Sequence, residues 1–118
     1  MRPHRKLDVW NEAVGFVVDV YRATRSFPKT EQYALADQLK RAAVSIPSNI
    51  AEGAARQTKK EFIQFLYIAQ GSASEIDTQL EVARRLNYIT DEVKGVLDAR
   101  LAAIGKMLTG LIKSLKRA

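Results

Sequence analysis

Apolar residues recur at three- and four-residue steps along most of the chain, and no stretch shows the two-residue alternation of a half-buried strand. Trp10, Ala13, Val14, Val17, Val20, Tyr21 and Thr24 share one helical face, so a first helix is predicted over residues 7–26, stopped by Pro28 just after Phe27. A second is predicted over 31–55. Thr30 is placed to cap it, Glu31 follows in its first turn, and Tyr33, Leu35, Leu39, Ala42, Ala43, Ile46 and Ile50 carry its apolar face toward Gly53. Thr58-Lys59-Lys60-Glu61 reads as a capping box, the Thr58 hydroxyl accepting from the Glu61 amide while the Glu61 carboxylate reaches back. It opens a third helix over 59–86, striped by Phe62, Leu66, Ala69, Ala73, Ile76, Leu80 and Ala83 and followed by Asn87, a residue type that tolerates the left-handed conformation at a helix end. Thr90-Asp91-Glu92 gives a capped, acidic first turn to a fourth helix over 91–116, with Val93, Leu97, Leu101, Ile104, Leu108, Leu111 and Leu115 on its apolar face.

Four helices of roughly 30 to 40 Å with short connections pack most simply as an all-α, antiparallel up-down-up-down four-helix bundle, one domain over residues 1–118. In that topology the chain start, the second connection and the chain end meet at one end of the bundle. Arg2, Arg5, Lys6, Arg56, Lys59, Lys60, Lys113, Lys116 and Arg117 collect there, offset only in part by Asp8, Glu52 and Glu61. The whole chain has 19 Lys and Arg against 13 Asp and Glu, a net charge of +6, so this end is the expected docking place for a polyanion, RNA or DNA. The plainer account is that Lys113, Lys116 and Arg117 complement a helix C-terminus, that the arm from Arg2 to Lys6 is disordered, and that the charge serves solubility.

Composition removes most chemistry. There is no cysteine, and the single histidine, His4, lies in what reads as a flexible end, so metal and triad sites lack raw material and no cofactor is expected. No apolar run approaches the roughly 18 residues of a membrane span. The basic start meets Asp8 before any apolar run, unlike a secretory signal, which predicts a soluble, cytoplasmic protein with no membrane partner. Phosphate-loop, nucleophile-elbow and zinc-protease motifs are missing, and the chain is not expected to be an enzyme.

One stretch breaks local rules. Pro47 falls inside the second predicted helix, where it removes a hydrogen bond and clashes with the preceding turn at a cost of about 3 kcal/mol. Around it Arg41, Ser45, Asn49 and Glu52 stand at i, i+4, i+8 and i+11, a polar line on one face. On the third helix Ser72, Glu75 and Gln79 form a matching line, which would set Arg41 against Glu75 or Gln79. Such a network would fix the packing register, form a subunit contact or, least in keeping with the absent partners, do chemistry. Gly71, among Ala69, Ser72, Ala73 and Ser74, is expected to admit the proline-bearing turn closely, with Ser45 and Ser48 satisfying backbone groups that Pro47 leaves open.

The same residues carry a resemblance. The run from Gln38 to Gly53, with Leu7-Asp8-Val9-Trp10, the block Phe27 to Leu35 and the block Glu61 to Glu75, resembles bacterial four-helix-bundle proteins encoded in intervening sequences of 23S rRNA genes, often labelled ribosomal proteins. The final helix matches only in hydrophobic pattern. The resemblance implies a four-helix protomer, assembly into a ring-shaped homopentamer with a central channel, and no established reaction. Through a distant relation to basic pentameric accessory proteins of diversity-generating retroelements, it also implies a nucleic-acid or nucleoprotein role. Two functions are therefore expected to compete. One is a homo-oligomer binding RNA or DNA nonspecifically through its basic end or channel. The other is an assembly or adaptor module binding another protein through Phe16, Val18, Leu35, Phe65 and Tyr67, which lie partly off the core stripes.

Overall fold

The computed structural model describes residues 3–117, the Lys6 side chain excepted. Four α-helices account for most of it: α1 (Asp8–Thr24), α2 (Leu35–Ala54), α3 (Lys59–Arg85) and α4 (Asp91–Arg117), with short 3-10 turns at Pro3–Lys6 and Lys29–Glu31 and no strand among the described residues. Each helix packs on its two neighbours in the cyclic order α1, α2, α3, α4, giving a molecule of 46 × 22 × 21 Å.

Cross-helix pairs set the directions. Gly53 lies against Phe62 and Phe65, and Ser45 against Ser72. Tyr67 meets Lys116, Gln70 meets Thr109, and Arg84 meets Asp91. Rising numbers on one helix meet falling numbers on the next, so α2, α3 and α4 are successively antiparallel. Asp19, Arg22 and Ala23 line the same groove as Val93, Val96 and Leu97, which makes α1 antiparallel to α4 as well. The core runs the length of this arrangement through Phe16, Val20, Leu39, Ile46, Ile50, Leu66, Ile76, Leu80, Ile104 and Leu108, all fully or almost fully buried.

Local chemistry explains the boundaries. Thr58 caps α3, its hydroxyl accepting from the Glu61 amide at 3.1 Å, while the Glu61 carboxylate accepts from that hydroxyl at 2.9 Å rather than reaching the Thr58 backbone. Asn87 closes α3 with φ 63°, and the Tyr88 amide returns to the Ala83 carbonyl at 2.8 Å, a Schellman-type end. Thr90 accepts from the Val93 amide at the start of α4. The helix predicted from residue 31 begins only at Leu35, and Thr30 is not its cap. The cause is Gln32, whose side-chain amide donates to the carbonyls of Thr24 and Phe27 and holds the segment after Pro28 in turns. Residues from Pro3 onward are held to the bundle: Leu7 N–H donates to the His4 carbonyl, and the His4 ring packs edge-on to Trp10 at 5.0 Å.

Candidate nucleic-acid interface

The polar line of α2 divides by depth. Advancing four residues on a helix of 3.6 residues per turn rotates a position by about 40°, so Arg41, Ser45 and Asn49 drift successively toward the core while Glu52 returns to the outer edge. Accordingly Ser45 and Asn49 are half-buried, and Arg41 and Glu52 are exposed. The Ser45 hydroxyl bonds to the Ala42 carbonyl at 2.9 Å and to Ser72 across the helix pair, and Asn49 donates to the Ser45 carbonyl at 2.7 Å.

The expected pairing of Arg41 with Glu75 or Gln79 does not form. Arg41 turns outward to Asp37, one turn back on its own helix, at 2.9 Å, and the exposed Glu75 accepts instead from Gln79 at 3.0 Å. The polar link between α2 and α3 is a pair of hydroxyls, Ser45 and Ser72, and not an ionic network. Gly71 is likewise misplaced as the site of close approach, since it is exposed with nothing near its missing side chain. The glycine that admits a neighbour is Gly53, where a Cβ would stand 2.7 Å from the Phe65 Cβ and 2.9 Å from a Phe62 ring carbon.

Gly53 in turn builds the basic end. Its bare backbone lets Phe65 settle at the α2–α3 junction, and the Arg56 guanidinium lies over that ring at 4.9 Å from the centroid. Arg5 lies over Trp10 at 5.6 Å. Lys116 reaches Tyr67, its Nζ donating to the phenolic oxygen at 2.7 Å while standing 5.4 Å from the ring centroid. Together those distances put the ammonium beyond the hydroxyl, along the ring's long axis, and leave the faces of Tyr67 clear of it.

Arg5, Arg56, Lys59, Lys60, Lys113, Lys116 and Arg117 are all exposed, and none has a carboxylate within salt-bridge distance among the described residues. Arg2 and the Lys6 side chain lie outside those residues. The ion pairs cluster from the middle of the bundle to the other end. Arg100 of α4 crosses Gly15 to reach Asp19 and, at 3.5 Å, Glu12. Glu81 gathers Arg85 at 2.7 Å, Arg84 at 3.2 Å and Lys94 at 3.4 Å, while Lys94 also meets Asp98 at 2.5 Å. Hydrogen bonds from Arg85 and then Arg84, with help from Lys94 and against partial desolvation, hold the Glu81 carboxyl down at about 2. The Glu81 hydrogen bond chiefly raises Arg84, the Asp98 hydrogen bond chiefly raises Lys94 with a smaller push from Glu81, and the Asp19 hydrogen bond chiefly raises Arg100.

An exposed cation–π contact and an exposed salt bridge hold a side chain about equally well, each on the order of 0.5–1 kcal/mol at most. They differ in what they leave behind. A carboxylate cancels the charge, whereas an aromatic ring orients the cation and keeps its field available to a ligand. Lys113, Lys116 and Arg117 sit at a helix C-terminus, where the macrodipole alone would favour them. Lys59 and Lys60 occupy the first turn of α3, where the dipole opposes them, so helix stability does not account for their placement.

This geometry is that of an all-α, four-helix protein with, among the described residues, one basic end whose cations form no salt bridge and no helix long and apolar enough to cross a membrane. The chain belongs to the 23S rRNA-intervening sequence protein family, whose model matches residues 5–110. It is similar in structure to a protein of unknown function from the S23 ribosomal protein family of Bacteroides thetaiotaomicron, at 28% identity and a TM-score of 0.82 over 89% of this chain and 98% of that one. No curated protein matches it. The family's description names no enzymatic activity.

Proposed function

We propose that this protein is a non-enzymatic homo-oligomer that binds RNA or a nucleoprotein nonspecifically, holding phosphates at its basic end or in a channel lined by several such ends. The observation that carries this reading is the asymmetry of charge pairing: cations at one end rest on aromatic rings or in water, while the ion pairs lie elsewhere. Repetition by symmetry multiplies a modest patch, and a homopentamer is the assembly the family resemblance implies. The test is anisotropy titration of a labelled RNA at about 50 and 200 mM salt, where neutralising several phosphates makes affinity fall steeply as counterions return. Changing Lys59, Lys60, Lys113 and Lys116 to Glu is expected to abolish binding at the higher salt. Equal affinity at both salts overturns the reading.

A second reading, an assembly or adaptor module that binds another protein, draws on exposed apolar side chains. Val18 and Tyr67 are exposed, at 43% and 46%, but the other residues expected to supply that surface are not: Phe16 is fully buried, and Leu35 and Phe65 are half-buried. Exposed apolar residues elsewhere include Val14, Val18 and Tyr21, which make a ridge at i, i+4 and i+7 on α1, and Val44 of α2. Co-purification with a stoichiometric protein in place of nucleic acid would favour this alternative.

A further inference from the structure

The basic end carries more than charge. Tyr67 is 46% exposed on α3, its neighbour Ile68 is 52% exposed, and the Lys116 ammonium is fixed at the edge of the tyrosine ring. Arg56 and Arg5 lie as planar groups over Phe65 and Trp10. A duplex has its base faces stacked inside, so it would use only the cations. An unpaired base can lie on an aromatic face or a guanidinium plane, while its own phosphate meets the neighbouring cation.

From this arrangement, and resting on the nucleic-acid reading above, we propose that the basic end binds single-stranded nucleic acid in preference to duplex, with Tyr67 as the base-stacking platform and Lys116 as the phosphate contact beside it. A ring face under a base and an ammonium on its phosphate are contacts that any base supplies. The preference is for strandedness, not for sequence.

The experiment compares a 20-nucleotide oligouridylate with an RNA duplex of equal length at one ionic strength. Anisotropy reports affinity, and quenching of the sole tryptophan, Trp10, reports engagement of the protein end itself. The single strand is expected to bind at least about tenfold tighter. Tyr67→Leu should lose about tenfold for the single strand and nothing for the duplex, because one base–aromatic stack is removed and no charge is changed. Tyr67→Phe, which keeps the ring and loses the hydroxyl, should hold the single-strand affinity to within about threefold. Equal or tighter duplex binding overturns the proposal, as does a Tyr67→Leu variant with unchanged single-strand affinity. If Tyr67→Leu alters the mass in light scattering but not the affinity, Tyr67 belongs to a subunit contact and the proposal fails on that ground. No salt-dependent binding of either RNA sinks the underlying nucleic-acid reading, whereas salt-dependent binding without strand preference sinks only this one.

Discussion

Two glycines show how far a residue's role depends on what stands opposite it. Gly71 is exposed in mid-helix with open space where a side chain would go, so Gly71→Ala should stabilise the protein by about 0.5–1 kcal/mol through helix propensity alone. Gly53 faces the backbone-proximal Cβ of Phe65 and the backbone carbonyl of Phe62, atoms that cannot swing aside as a side-chain tip can. Gly53→Ala should therefore destabilise by about 1–3 kcal/mol, the usual range for overpacking. Urea unfolding of both variants checks the pair, and equal effects would show that the α2–α3 junction is looser than described. Because Phe65 carries Arg56, Gly53→Ala should also weaken RNA binding in the folded protein, which Gly71→Ala should leave unchanged. Sequence spacing favoured Gly71 because small residues flank it. It could not show that Gly71 itself faces outward while Ala69 is buried and Ser72 meets Ser45, since the facing helix enters no local pattern.

At the scale of helices, the termini set by local chemistry were legible: Thr58 and Asn87 act within a few residues of themselves, and their side-chain types announce the role. The start of α2 was not, because it is decided by Gln32 folding back on Thr24 and Phe27. The α3–α4 hairpin lies between these cases. Glu81 with Arg84 and Arg85 is an i, i+3, i+4 pattern that can be read from sequence, but the arrival of Lys94 depends on the turn between the helices. This cluster has a pH signature. The Glu81 carboxyl lies near 4.5 when free and at about 2 in the folded protein, so its contribution is present in full above pH 4.5 and is lost as pH falls through 2. A Glu81→Gln variant should melt below the wild type at neutral pH, and the gap should close progressively between about pH 4.5 and 2. A gap that stays constant across that window would mean that the arginines do not hold the carboxylate.

For the whole molecule, the cyclic helix order puts the α1–α2 side opposite the α3–α4 side. The first carries the exposed ridge of Val14, Val18 and Tyr21 and the exposed Val44, with Tyr21 fixed at the seam by Lys40 at 5.1 Å from its ring. The second is an open groove of about 920 Å³ with small residues such as Ala73, Ala102, Gly105 and Gly110 on its floor and walls, together with charged ones that include Asp77, Lys106 and Lys113. If such a ridge met such a groove between copies, the contact would be head-to-tail, closing into a ring when the rotation between copies permits and otherwise growing as a filament. A ring would bring its basic ends to one rim, as the proposed polyanion site requires. Val18→Lys, on the ridge and away from the core, should leave helicity and melting nearly unchanged, since an exposed substitution there stays within about 0.5 kcal/mol. The same change should shift the light-scattering mass toward the monomer at micromolar concentration. Gly105→Leu, on the groove side and with open space around it, should do the same from the other half of the contact. If the wild type is itself a monomer, or if either variant keeps the wild-type mass, the ridge and groove do not meet between copies, and the basic end would have to hold its ligand without the gain from symmetry.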